Sequence, residues 1–353
     1  MNKYLLAAIA VALVVLAVVS LRSPAPDTAV SQGGKAAGSE HLSASAVLKI
    51  DPATPSVNRV AGRASAPVVS PALQAFRDRK DWVGLYKQLK AAPSTAEGQY
   101  LLAELLSACA KSAKATPTSP EQQRSAFLAS LPPKDPNLEK RKAAFEQLNN
   151  ERCGELGNIE YNDADIAQLL QASAAAGDPR ARAWLLAREI SHAWDSAPPN
   201  DPGRRGGYLI SDAQFASIRE LLGSQDPDVI NEFRPILASS LSGAALRIGP
   251  NQEAIDPQAM YSALALVSCD FGAPCGASNP AMLNACANSA RCDTGNLYDY
   301  TYYYGVSPYA AQLVERYRDW LGQMITTRNF DNLAMVQVPG TPTNVSLFMG
   351  RRR

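Results

Sequence analysis

This chain is short of the residues that do chemistry. Two histidines occur in 353 residues, His41 in a low-complexity stretch and His192 in the rest. Neither G-x-S-x-G, H-E-x-x-H, a P-loop nor G-x-G-x-x-G occurs, which removes the ready markers of several hydrolase, metalloprotease and nucleotide-binding classes. Dense positive charge is missing too. Residues 71–350 hold 25 Lys and Arg against 30 Asp and Glu, a net charge of −5, and Arg351-Arg352-Arg353 is the single basic cluster. Nucleic-acid binding draws on positive charge to displace counterions from phosphates, so it is excluded as a function. Strand signals are lacking as well: in the folded part no stretch of four or more residues alternates like a half-buried strand.

Against these absences stands one long apolar run, Leu5–Val19, behind Lys3 and closed by Ser20, Leu21 and Arg22. It falls between the core of a secretory signal and the roughly 17–20 residues that span a bilayer. The expectation is a signal anchor over residues 1–21, entering the inner membrane through residues 5–21, with a cleaved signal peptide and a secreted product as the second reading. Val18-Val19-Ser20 is a tolerable cleavage triplet, and no cysteine follows for a lipid anchor. Residues 22–70 contain ten Ala, eight Ser, five Pro, four Gly and no aromatic. Such a composition cannot bury enough apolar surface to offset the entropy of ordering. As a flexible coil it would span roughly 40 Å, a suitable tether. His41 lies there and reads as a solvated bystander.

Export decides how the six cysteines are read. Cys109, Cys153, Cys269, Cys275, Cys286 and Cys292 form an even set, which in an oxidising compartment means disulfides. Their grouping favours Cys109–Cys153 plus two bridges within the later cluster. Closing the longer loop would contribute about 4 kcal/mol in the chain-entropy picture. Zinc is the rival reading, but C-x5-C-x10-C-x5-C lacks the short knuckles of structural zinc sites, so no metal is expected.

From Ser70 onward the chain reads as helix after helix. Pro71–Leu89 carries an apolar stripe, and Ser94-x-x-Glu97 has the form of a capping box opening a helix to Cys109. Glu121–Leu131, Asn137–Cys153 and Asn162–Ala176 follow, the last stopped by Gly177. Asp178-Pro179 restarts a helix to Trp194, Ser211-x-x-Gln214 another to Leu222, and Asp226–Leu241 contains a kinking Pro235. Asp256-Pro257 opens a helix to Cys269, with two more near Asn279–Ser289 and Tyr309–Thr326. The fold class is therefore all-α: helical hairpins open to solenoid-like stacking, with a disulfide-stapled, loop-rich carboxyl-terminal part. The helical domain covers 71–330, with a candidate subdivision near 196–210, and 331–353 forms an extended tail.

Over residues 167–187 the sequence reads Ala-Gln-Leu-Leu-Gln-Ala-Ser-Ala-Ala-Ala-Gly-Asp-Pro-Arg-Ala-Arg-Ala-Trp-Leu-Leu-Ala. A helix ending in Ala-Ala-x-x-Gly-Asp, followed by small residues and a Leu, resembles the joint of a Sel1-like repeat, a relative of the tetratricopeptide class. That resemblance implies a stacked helical-hairpin scaffold of the protein-binding sort. One copy is visible, with no second at a fixed period.

Three constellations are candidates for chemistry. Glu189 and His192 make Glu-x-x-His, one helical turn apart, the spacing of di-iron carboxylate bundles. Those sites need two such motifs and two further glutamates, so a boundary histidine beside Ala183, Leu186, Ile190, Ala193 and Trp194 is the simpler account. Glu189 with Asp195 could pair as acid and base, though nothing selects them from thirty carboxylates. Asp270-Phe271-Gly272 copies a kinase tripeptide without the rest of that machinery. Last, Tyr298, Tyr300, Tyr302, Tyr303, Tyr304 and Tyr309 crowd twelve residues. Tyrosine suits recognition surfaces, which makes Tyr300, Tyr302, Tyr303 and Tyr304 binding candidates; packing over the cysteine cluster is the alternative. No cofactor is implied. The expected function is an exported, membrane-tethered helical scaffold of the bacterial envelope with a protein partner, located in the periplasm. An envelope hydrolase acting on a cell-wall or sugar polymer is the second expectation.

Overall fold

Side-chain caps set most of the helix starts. The computed structural model describes residues 69–338 except 79–80, 92–94, 110, 113–119, 150–155, 157–158 and 197–206. The apolar run, nearly all of the spacer, Cys153 and the last residues of the tail lie outside the described residues. The described part is mostly helical, as the sequence indicates. Helices α1 (Pro71–Asp78), α2 (Trp82–Ala91), α3 (Ala96–Cys109), α4 (Pro120–Ser130), α5 (Leu138–Asn149) and α6 (Asp163–Ala175) occupy the first half. Then come α7 (Pro179–Ser196), α8 (Asp212–Leu222), α9 (Pro227–Leu237), α10 (Pro257–Asp270), α11 (Pro280–Ser289), the short α12 (Leu297–Tyr300) and α13 (Pro308–Thr327).

The first half departs from its expected boundaries at two points. The stripe over 71–89 is divided, because Asp81 takes a positive φ of 45° before α2 starts. At α3 the cap is Thr95, whose Oγ1 accepts from the Gly98 amide at 3.0 Å. Ser94 lies outside the described residues, and Glu97 engages the tertiary partners Ser70 and Arg180. The hairpin of α6 and α7 forms where the sequence places its joint. Gly177 takes φ +95°, which an L side chain rarely adopts, and the Asp178 amide closes on Ser173 O at 3.1 Å. Asp178 then caps α7, accepting from the Arg180 amide at 2.8 Å.

The later caps follow the sequence closely. Ser211 and Gln214 make a complete capping box on α8, and Asp226, Asp256, Asn279 and Ser307 each cap a helix that begins with proline. Helix α9 ends at Leu237, short of the expected Leu241, two residues beyond Pro235. A proline removes one helical amide and crowds the preceding turn.

One architectural element was not expected. Strands β3 (Ala244–Ile248), β4 (Glu253–Ala254) and β5 (Leu333–Gln337) form an antiparallel sheet in the order β4-β3-β5. A two-residue parallel pair, β1 (Lys111–Ser112) with β2 (Glu160–Tyr161), lies in the first half. The turn after β3 needs Gly249, at φ +81°, where a Cβ would meet the Trp320 ring at 2.5 Å.

Apolar burial is uneven. One large core draws Ile190, Ile218, Phe233, Leu264, Val314 and many others from α7, α8, α9, α10 and α13 with β3 and β5. The first half holds two small clusters, one around Leu101 and Leu170 and one around Trp82 and Leu105. A third joins Ala144 of α5 to Leu283 and Ala287 of α11. Cys269–Cys275 and Cys286–Cys292 are bridged, with Cα separations of 5.8 and 4.4 Å. Cys109 is also disulfide-bonded; its expected partner, Cys153, lies outside the described residues. No helix among the described residues is long and apolar enough to cross a membrane.

Candidate functional site

The tyrosine run sits on an unusual piece of backbone. Asn296 caps α12, accepting from the Asp299 amide at 2.9 Å. The chain then widens into a π-helical turn, Thr301–Gly305, closed by the Val306 amide on Thr301 O at 3.1 Å. Single π turns recur at functional sites because they displace side chains from the regular helical surface. Here the displacement leaves Tyr303 and Tyr304 exposed at 68% and 46%, with Tyr309, on the first turn of α13, at 73%. Tyr300 and Tyr302 turn partly inward against the large core. The run therefore divides: some rings pack and others face solvent.

The exposed rings rest on a rigid base. Cys275, bridged to the end of α10, accepts from the Leu297 amide at 2.9 Å, and so holds the start of α12. Asp270 takes both prongs of the Arg318 guanidinium at 2.7 and 2.8 Å and accepts from the Tyr298 hydroxyl at 2.8 Å. Burial opposes the Arg318 charge, yet the bonds and charge of Asp270 more than offset it and hold Arg318 firmly protonated. Asp270 thus has a structural partner in place of kinase-like metal chemistry. Arg318 also lies over the Tyr298 ring, 5.0 Å from its centroid. Burial pushes the Tyr302 hydroxyl up, Glu315 adding to the push and Arg318 opposing it; it closes a hydrogen bond to neither. Gln258 donates to Gly305 O at 3.2 Å and fixes the far end of the turn. Arg291 stacks on Tyr304 at 4.4 Å.

Glu189 and His192 lie elsewhere, exposed on α7. Glu189 accepts from Gln214 Nε2 at 3.0 Å, and His192 Nδ1 contacts Ser196 Oγ at 3.2 Å. The structure does not bring either to the tyrosines. Among the described residues, no group of three or more His, Cys, Asp or Glu is placed to hold a metal ion. An open groove of about 680 Å³ is lined by Arg182, Arg219, Arg328, Glu220 and Asp331. Arg182 is paired to Glu220 at 2.9 Å, and Asp331 stands with the remaining Arg219 and Arg328 in the lining.

A second constellation was not expected from sequence: a buried ionic network. Arg180 holds Asp178 through Nε at 3.1 Å and Nη2 at 2.6 Å, reaches Glu97 at 3.2 Å and lies 4.9 Å from the Tyr100 centroid. Burial opposes its charge, and Asp178 outweighs that, so Arg180 stays protonated. Glu97 is also bonded by Ser70 Oγ. Arg77 pairs with Asp228 at 2.7 Å and lies 3.6 Å from Asp226. The network joins α1, α3, α7 and the start of α9. Arg77 Nε and Arg180 Nη1 are buried without a partner among the described residues. Burial pushes Asp226 up, with Asp228 adding to it and both arginines opposing. Nearby, burial and then the charges of Glu232 and Asp228 push Glu104 up to about 7.

A sequence signal for this network existed. Arg180 lies three residues before Ala183, on the face that continues through Ala187 and Ile190, all buried. A charged residue on an apolar helical face requires a buried partner. No protein-family model matches the chain, and the curated proteins and solved structures compared with it give no match either.

Proposed function

We propose that this chain is an exported, membrane-tethered helical scaffold of the bacterial envelope that binds a protein partner through the tyrosine-bearing turn. The observation that carries the reading is the pairing of exposed Tyr303, Tyr304 and Tyr309 with a disulfide-braced, ion-paired support. Tyrosines held on a rigid base lose little entropy on docking and offer a flat apolar body with a polar tip, the composition of binding hot spots. The Leu5–Val19 run and the Ala/Ser/Pro spacer fit a tether, and the bridged cysteines fit an oxidising compartment. The resemblance of the α6–α7 joint to a Sel1-like repeat supports a scaffold of the same kind. The exposed positions of Glu189 and His192 give the hydrolase reading no specific support.

The test is crosslinking in intact envelopes with the full chain and with a Tyr303→Ala/Tyr309→Ala variant. A partner captured by the wild type should fall at least tenfold in the variant, corresponding to about 1.4 kcal/mol or more, with the circular dichroism spectrum unchanged. Equal capture by both proteins would remove the tyrosine turn as the contact.

A further inference from the structure

Strands β4 and β5 are the two edges of the three-stranded sheet, and they are finished differently. Strand β4 is two residues long and carries Glu253, which Arg316 holds at 3.4 Å. Strand β5 is five residues, Leu-Ala-Met-Val-Gln, with no charge, no proline and an unbroken register against β3. The Val338 amide donates to Gly243 O at 3.0 Å, and the Gly249 amide to Asn332 O at 2.8 Å. Bonded and unbonded pairs alternate along an antiparallel ladder, so on this register Ala334 and Val336 bond β3. The amides and carbonyls of Met335 and Gln337 point the other way and meet no partner among the described residues. Natural edges are blunted by charge, proline, a bulge or shortness, because an open one templates another strand. Strand β5 has none of these devices.

Its two faces differ as well. Leu333 and Met335 pack on the large core, whereas Val336 and Val338 lie on the opposite face, 45% and 43% exposed. Ala245 and Arg247 of β3 share that outer face, directly across from Val336 and Ala334. Arg247 is paired with no carboxylate among the described residues, and Glu253 beside it belongs to Arg316. We propose that the open edge of β5 takes up an extended segment of a protein partner as a fourth strand, one that alternates apolar residues and carries a carboxylate facing Arg247. Met335 and Gln337 supply the main-chain bonds, Val336 and Val338 the apolar contacts, and Arg247 the charge. Neighbouring strands lie roughly 5 Å apart, so a side chain opposite Ala334 on the added strand stands roughly 10 Å from the Arg247 backbone. An arginine and a glutamate span that gap together, and Ala334 is short enough to leave the path open. Residues 339–353 contain no Asp or Glu and include Arg351, Arg352 and Arg353, and β5 holds no acid either. Neither the chain's own tail nor a second β5 therefore supplies the charge.

Fluorescence anisotropy with the full chain and a labelled peptide, Thr-Val-Thr-Val-Thr-Glu-Thr-Val, tests this surface; its Glu stands on the valine face, and a second peptide carries Gln there. The Glu peptide should bind below about 1 mM and about threefold more tightly than the Gln peptide, the weight of an exposed ion pair. Gln337→Pro deletes one outward amide and leaves the bonds to β3 in place; it should weaken binding about fivefold, the weight of one hydrogen bond. Arg247→Gln should bring the two peptides to equal affinity, and Tyr303→Ala/Tyr309→Ala should alter neither. Should Gln337→Pro fail to fold, the Arg247→Gln comparison carries the test. Absence of binding overturns the proposal, and so does a Glu preference that survives Arg247→Gln or a folded Gln337→Pro chain that binds unchanged. Binding seen only on dilution of a dimer gives the edge to a second copy, and binding seen only in Phe348→Pro gives it to the tail; either result also overturns the proposal.

Discussion

The two halves of the helical domain are held by different physics. From α7 to β5, one large apolar core gathers Phe233, Ile236, Leu264, Val314 and Leu321, all nearly inaccessible to water. From α1 to α6, apolar burial breaks into small clusters, and beside the small apolar contacts of α5 with α11 and of α3 and α6 with α7 the seam with the second half carries Arg77, Arg180 and their carboxylates. Apolar contacts are non-directional and roughly additive in area. Buried ion pairs contribute little net stability but are severe when half-removed. The first half is thus specified by matched charges more than by area.

That contrast can be broken from either side. Phe233→Ala in the core should lower global stability by about 3–5 kcal/mol, because the cavity adds to lost transfer energy, and the whole domain should unfold at lower denaturant. Arg180→Met removes one partner of a buried pair and leaves Asp178, 3% exposed, without its cation. The expected loss is about 3 kcal/mol, and its pattern differs. Hydrogen exchange should accelerate in α1, α3 and α6 while α10 and α13 remain protected. Uniform acceleration across both halves would show one cooperative unit and erase the distinction.

Much of the core half was legible in the sequence, and the reason is local. Asp178-Pro179, Ser211 with Gln214 and Asp256-Pro257 are signals within four residues, and each opens a helix as read. What escaped notice was long-range. Arg77 and Asp228 are 151 residues apart, and nothing near either names the other. Glu97 was assigned to a capping box because Ser94 lay at the right spacing, whereas Thr95 caps the helix and Glu97 serves Arg180. The sheet was missed for a related reason. Ala-Ala-Leu-Arg-Ile in β3 shows no clean alternation, and its partner β5 lies some 90 residues later. The tyrosine run left recognition and packing both open, and it divides: Tyr300 and Tyr302 pack partly against the core, whereas Tyr303 and Tyr304 reach solvent. A π turn sets that division, and composition alone does not announce one.

The smallest expected effect sharpens the contrast further. Ser211 accepts from the Gln214 amide at 3.2 Å, and Gln214 Oε1 accepts from the Ser211 amide at 2.9 Å, a polar closure on a core helix. Ser211→Ala should lower stability by about 1 kcal/mol, the ordinary value of a lost cap. The orphaned amide lies at a helix end that water can reach, so solvent offsets part of the loss. Arg180 offers no such relief, because its surroundings exclude water and its carboxylate partner would remain charged. Two polar deletions, one at a cap on the apolar half and one at the seam, should therefore differ by about 2 kcal/mol in denaturant midpoints converted at equal m. Equal losses would mean that the seam is as well solvated as a helix end.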